Sequence, residues 1–360
     1  MIGGIAAAFA IVFFVTAHEA GHFLAAKAVG MKATQFFFGF GPKIWSTQKG
    51  ETEYGVKWIP LGGYVRIIGM NPLEEVAPGD MGRTYREKKF WEKSVVVLAG
   101  VGTNFFIAFV MFYGIVMVVG IPGEPIPEVG LVVEGSPAAE AGLHEGDVIV
   151  SVGPHEVIEW EDLTMALVIE GTGPSTVTVD RDGQLIILEA DLEESELVAG
   201  AGFLGVAPIR EQIDVSPIEA IGLAGQLVWG GITDTFSAMF QMMRPSSLAQ
   251  YFGVLLGDTD VPLEIRPVSP IGIVSIGSQA ENAAFFIGIL ASVNVILATI
   301  NLLPLFPLDG GHFAVALYEK LTGREADIRR LMPVAAAVIG LFVFLGFVAI
   351  ILDVANPINL

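Results

Sequence analysis

At 360 residues the chain holds enough material for two domains, and 53% of it is hydrophobic against 16% charged, which excludes an ordinary soluble protein. It has no cysteine, so disulfides and thiolate metal sites are excluded and any bound metal must use His, Asp or Glu. The formal net charge is -20, and no basic patch lies outside short segments flanking apolar runs, which excludes nucleic-acid binding.

The first apolar segment (residues 1–30) is uncharged from Ile2 to Ala17 and continues to Ala26, long enough to span about 30 Å of hydrocarbon. It has no basic leader, so no cleavable signal peptide is expected. It contains His18-Glu19-Ala20-Gly21-His22. On a helix the two histidines project from one face and can share a zinc ion, with Glu19 placed to act on a water there. Ionisable residues inside a membrane span are costly and therefore mark a functional site.

Residues 31–93 begin with glycine- and proline-punctuated β-rich runs at Phe36–Phe38, Thr52–Ile59 and Tyr64–Ile68. They predict either a small antiparallel sheet beside the first helix, at a depth where irregular backbone needs cover, or an ordinary cytosolic loop. A polar loop follows from Asn71. Residues 94–121 read as the second span, with Gly100, Gly102 and Asn104 suited to close helix contacts.

Residues 122–212 read as an inserted α+β domain, after a linker at Pro122–Pro127. Short strands flank a helical pattern at Trp160–Glu170, and Asp182-Gly183 is a strong hairpin turn. Gly135-Ser136-Pro137-Ala138-Ala139-Glu140-Ala141-Gly142-Leu143, followed by Gly146-Asp147, resembles a bacterial PDZ domain, a module that takes extended peptides by strand addition.

In residues 213–269, Ser216–Met243 is apolar but carries Glu219, Gln226, Asp234 and Gln241, and reads as one or two amphipathic helices at the membrane surface. The third span (270–312) is firmest from Ala283 to Leu303 and ends in Leu308-Asp309-Gly310-Gly311-His312. A short loop and helix (313–331) precede the fourth span (332–360). The expected fold is thus a polytopic α-helical membrane protein with four transmembrane helices, a membrane-associated β-hairpin and one inserted PDZ domain.

Lys27–Lys93 holds eleven of the 19 basic residues and Pro304–Leu331 four, whereas Pro122–Pro270 holds four against 25 acids. Positive charge marks the cytoplasmic side. Both basic segments are therefore expected inside, with the PDZ-like domain and both termini outside, in a plasma or inner membrane. Four spans then bring Asp309 to the same end of the bilayer as the histidines. A fifth span at Ser216–Met243 would place it on the order of 20 Å away.

Asp309 is accordingly the candidate third zinc ligand, since a catalytic site uses three protein ligands and leaves one position open. Glu19 is the candidate general base. Asn294 and Asn301 could hydrogen-bond an extended substrate or an oxyanion, or serve helix contacts. His312 as a fourth ligand would close the open position. His144 and His155 fall in the outer domain.

The motif His18-Glu19-Ala20-Gly21-His22 with Asn301-Leu302-Leu303-Pro304-Leu305-Phe306-Pro307-Leu308-Asp309-Gly310-Gly311-His312 resembles the site-2 proteases, intramembrane zinc metalloproteases. Gly39-Phe40-Gly41-Pro42, Pro60-Leu61-Gly62-Gly63-Tyr64-Val65 and Ala99-Gly100-Val101-Gly102-Thr103-Asn104 follow the family's order. The resemblance implies zinc on His18, His22 and Asp309, Glu19 as base, and substrate presented as a strand along the hairpin, with Tyr54, Gly62, Gly63 and Tyr64 as contacts. It implies single-span membrane proteins as substrates, such as anti-sigma factors and remnant signal peptides, with the lipid bilayer and a PDZ peptide ligand as further partners. Some members carry two PDZ domains; this sequence offers one. The alternative from another class is a membrane-tethered PDZ adaptor with a structural or inactive metal site. A metal transporter would want acidic or histidine residues along several helices, and a prenyl-protein protease would take Glu as third ligand.

Overall fold

The computed structural model describes residues 2–70, 74, 76–195, 198–280 and 282–358; residues 71–73 and 75 of the polar loop lie outside the described residues. The chain divides into one unit of residues 1–118 with 217–360 and a second of residues 119–216.

The first unit opens with helix α1 (Ile2–Ala28), uncharged until His18 and closed by Lys27 in its last turn. Strands β1 (Ala33–Lys49) and β2 (Thr52–Ile67) pair antiparallel. The three short runs predicted here are joined into two long strands that curl. Phe36 faces Tyr54 on one flank and Val65 on the other, and Phe37 faces Gly55 and Tyr64. Register shifts between Phe38 and Trp45 break the ladder and supply the bend. The near half of the sheet packs on α1. Ala26, Met31, Ala33 and Ile67 form a buried cluster with Val96 and Val97 of the next helix, α2 (Phe90–Val119).

The second unit contains β3 (Ile121–Val132), α3 (Pro137–Ala141), β4 (Val148–Val152), β5 (His155–Glu156), α4 (Trp160–Glu170), β6 (Gly173–Arg181), β7 (Gln184–Glu194), β8 (Gly202–Phe203) and β9 (Val206–Ile213). The sheet order is β8-β7-β6-β4-β3-β9, with β5 on β4. Two features differ from the sequence reading. The predicted linker Pro122–Pro127 is strand, because β3 there pairs only with β9 and its prolines owe no hydrogen bond on the other flank. The strand that closes the sheet, β9, comes last in the chain. Helix α4 has the predicted bounds, opened by a Glu159–Asp162 capping box. Asp182 and Gly183 both adopt positive φ between β6 and β7. The core joins Val129, Ile149, Leu163, Val177 and Leu204, and Arg181 holds the buried Asp147 carboxylate at 2.7 Å.

The first unit resumes with α5 (Pro217–Met242), α6 (Pro245–Leu255), α7 (Pro270–Gln279), α8 (Ala283–Asn301), α9 (Asp309–Thr322) and α10 (Ile328–Ala355). The third apolar segment is broken rather than continuous, because Asn282 caps α8 by accepting from Phe285 N–H at 2.8 Å. The detached turn α7 packs on the start of α1, where Gly277 touches Ala7. The end of α10 is tied to α7 by Asp353, whose carboxylate accepts from Ser269 N–H at 2.7 Å and pairs with Arg266. Ser216–Met243, read as one or two surface helices, is one helix. Its Ala224 and Val228 pack with Ala108 and Phe112 of α2 and with Ala291 and Val295 of α8, while Trp229 and Phe240 stay exposed.

Among the described residues four helices are long and apolar enough to cross a membrane: Gly3–Ala28, Phe90–Val119, Ala283–Asn301 and Arg329–Ala355. Their outer faces carry Phe9, Phe13, Phe106, Val118, Val343 and Phe347, all well exposed. Large apolar side chains arrayed outward on spanning-length helices are what lipid contact requires.

Candidate metal centre and active site

The site forms where α1, α2, the turn before α9 and the curled sheet converge. His18 and His22, one turn apart on α1, bring their Nε2 atoms within 3.0 Å of each other. Asp309 Oδ2 lies 3.0 Å from His18 Nε2 and 3.2 Å from His22 Nε2. These are the residues that can hold a metal ion among the described residues, and both histidines are buried.

The neighbours fix this arrangement. His22 Nδ1 lies 2.8 Å from Val96 O of α2, which makes Nδ1 the protonated nitrogen and leaves the Nε2 lone pair facing Asp309. The ring fits because residue 100 is glycine: a Cβ there would stand 2.3 Å from His22 Nε2. Asp309 is the first residue of α9. It is carried back toward α1 by a tight turn with Leu305 N–H on Leu303 O and Leu308 N–H on Leu305 O.

Two imidazole Nε2 atoms and a carboxylate oxygen converging on one point make a donor set for a metal cation. Zinc–ligand bonds of 2.0–2.1 Å in a tetrahedron imply ligand–ligand separations of about 3.3 Å. The separations of 3.0–3.2 Å fit that group, and the three ligands leave a fourth position open.

Glu19 stands beside this cluster without belonging to it. Its Oε2 accepts from Val65 N–H at 3.1 Å, and a Cβ on Gly63 would lie 3.5 Å from Glu19 Cγ. The flank of β2 at Gly63–Val65 therefore runs directly past the carboxylate. A cavity of about 200 Å³ holds His18, Glu19 and Asp309 together with Asn104 and Asn301.

A model of peptidase family M50 matches residues 6–347. The chain belongs to peptidase family M50. The match spans both halves of the first unit and the inserted second unit. The M50 chain is 32% identical to the zinc metalloprotease Rip1 of Mycobacterium tuberculosis strain H37Rv, over 98% of this chain and 97% of that one. It is likewise 32% identical to the zinc metalloprotease Rip1 of Mycolicibacterium smegmatis, over 100% of this chain and 98% of the relative.

The remaining predicted site residues fall in different places. Asn301 lines the cavity. Asn294 is fully buried in the α2–α8 contact, donating from Nδ2 to Asn104 O at 2.8 Å. Gly63 adjoins Glu19, and Gly62 turns the strand just before it at φ +99°. Tyr64 stacks on Phe37, its ring centroid 5.7 Å away, accepts from Lys57 and donates to Gln35. Tyr54 packs against Phe23 of α1 and Phe36, a wedge between helix and sheet. His312 packs edge-on against Phe306, outside the ligand cluster. His155 approaches Glu170 in the second unit. The sequence reading missed Val96 O, Val65 N–H and Asn104. The first two are backbone groups with no sequence signal, and Asn104 resembled a helix-contact residue.

Proposed function

We propose that this M50 chain is a zinc-dependent intramembrane endopeptidase of the site-2 type, hydrolysing peptide bonds in or near membrane spans of single-pass proteins. The observation that carries this reading is the meeting of His18, His22 and Asp309 at 3.0–3.2 Å, next to a carboxylate bonded to a strand edge. Bound zinc supplies Lewis acidity, which makes a water nucleophilic near neutral pH.

The chain's own residues do the rest. Glu19 removes a proton from the attacking water and delivers it to the leaving amine nitrogen. The flank of β2 at Gly63–Val65 holds the substrate backbone extended, so that the scissile carbonyl meets the site in the open. A membrane helix hides its own backbone, so substrate must unwind locally before it can pair there. Gly62 and Gly63 let that strand pass close to the helix, and Asn301, which lines the same cavity, is a further substrate contact. Anti-sigma factors and remnant signal peptides are substrates of the required kind.

The second unit is a PDZ-type module in this reading, supported by the motif at Gly135–Leu143 and by its helix-capped sheet. It receives an extended peptide at a sheet edge. The basic residues at Lys27–Lys93 and Lys320–Arg330 support a cytoplasmic position for the metal end of the protein. The second unit and both termini then lie outside.

The test is co-expression of the protein or its Glu19→Gln form with tagged single-span membrane proteins. The enzyme reading expects cleavage to stop while zinc and uncut substrate are retained. Unchanged output from the Gln form would favour the PDZ adaptor instead.

A further inference from the structure

The face of α2 turned toward α1 is a stripe of three residues one turn apart. Val96 accepts from His22, Gly100 makes room for its ring, and Asn104 comes next. Val96 and Gly100 serve the metal ligand at the level of His22. Asn104 extends the stripe to the cavity that also holds His18, Glu19 and Asp309. Its residue is 1% exposed. Its backbone carbonyl is held by Asn294, which pins this turn of α2 against α8. Its side-chain Oδ1 is sealed from solvent and has no partner, and among the described residues no hydrogen bond engages its Nδ2, although the residue lines the cavity.

An amide N–H held without a partner at the wall of a reaction cavity is free to donate to what binds there. The cavity is the place where a scissile peptide must sit. We infer that Asn104 is a substrate-contacting catalytic residue of this site, donating from Nδ2–H to the scissile carbonyl oxygen as negative charge develops on it. As the water oxygen bonds to the carbonyl carbon, the C=O π pair moves onto that oxygen and the Asn104 N–H stabilises it. When the pair returns, the C–N bond breaks, and the nitrogen leaves with the proton from Glu19. The donor is buried and held in place beforehand, which is the condition under which such bonds contribute most to rate. Asn301 lines the same cavity.

This inference rests on the protease reading, and the experiment separates the two. Full-length protein in bilayers is assayed with a single-span substrate as wild type, Asn104→Leu and Asn104→Asp, the last keeping the shape but not the donor. Wild-type cleavage tests the protease reading on its own. For both variants kcat should fall about 100-fold or more, the range seen when one oxyanion donor is removed, with KM little changed. Zinc content should stay at the wild-type level. Affinity for a phosphinic peptide, which mimics the tetrahedral carbon, should fall in step with kcat. Adding Asn104→Leu to the Glu19→Gln form should leave its retention of uncut substrate unchanged. Full kcat in either variant would overturn the inference. So would a loss of zinc or of substrate retention equal to the loss of kcat, since that would assign Asn104 to packing.

Discussion

In the proposed site the imidazole of His22 makes two commitments at once: Nδ1–H to Val96 O, and Nε2 to the ion. That division selects a single tautomer, and it depends on α2 lying close enough for Val96 to reach. Gly100 permits the approach. Replacing Gly100 with Ala puts a methyl 2.3 Å from His22 Nε2, and the ring must rotate or α2 must retreat. Either loosens the ligand, and partners of this kind are worth 10- to 100-fold in metal affinity. Chelator competition on the purified variant should therefore show zinc held at least about tenfold more weakly. Asn294→Leu is expected to act differently. It removes the bond to Asn104 O between α2 and α8, costing about 1 kcal/mol of stability, readable as a lowered thermal midpoint with zinc retained.

At the scale of elements, the curled sheet and α1 are joined by one hydrogen bond that matters chemically, Val65 N–H to Glu19. Val65→Pro deletes that donor and blocks strand addition at the same flank. Cleavage should be lost while zinc binding persists, read by metal analysis beside the activity assay. The near end of the sheet is fastened by Glu51, which pairs with Arg83 at 2.8 Å and also with Lys27 at the end of α1. Those cations, Arg83 foremost, hold the Glu51 carboxyl well below its ordinary value of 4.5, at about 2. Its contribution to stability is therefore complete above about pH 5 and drains away as pH falls toward 2. Glu51→Gln should lower the thermal midpoint at pH 7, and the gap from wild type should shrink steadily below pH 4.5.

Element type was largely readable in the sequence, and element joining was not. The apolar lengths of α1, α2 and α10 follow from composition, and α4 from its helical pattern. The curl of β1 and β2 depends on which strand flank is left free, a matter of pairing that alternation cannot express. The break between α7 and α8 turned on Asn282 capping α8 at the end of a short polar stretch. The site divides the same way. His18 and His22 are fixed by helical spacing, while Asp309, 287 residues beyond His22, depended on counting spans. The carbonyl and amide groups that orient them carry no residue signature at all.

For the molecule as a whole, the charge asymmetry and the metal site make one linked claim about topology. The chain has no cysteine, so single introduced thiols report position cleanly. Asp182→Cys, in the exposed β6–β7 turn, should react with an impermeant reagent from outside, and Arg324→Cys only after the membrane is opened. The second unit, with a core of its own, should fold as the isolated 119–216 fragment and give a cooperative thermal transition.

The deepest commitment is that residues from opposite ends of the chain bind one ion. X-ray absorption at the zinc edge of the purified protein reads this directly. One zinc per chain is expected, with nitrogen and oxygen neighbours at about 2.0–2.1 Å, histidine-type outer scattering, and no sulfur. Asp309→Ala is expected to lose the metal or to lose one light neighbour from the shell. A protein that binds no zinc, or an Asp309→Ala protein whose zinc shell is indistinguishable from wild type, would contradict that commitment.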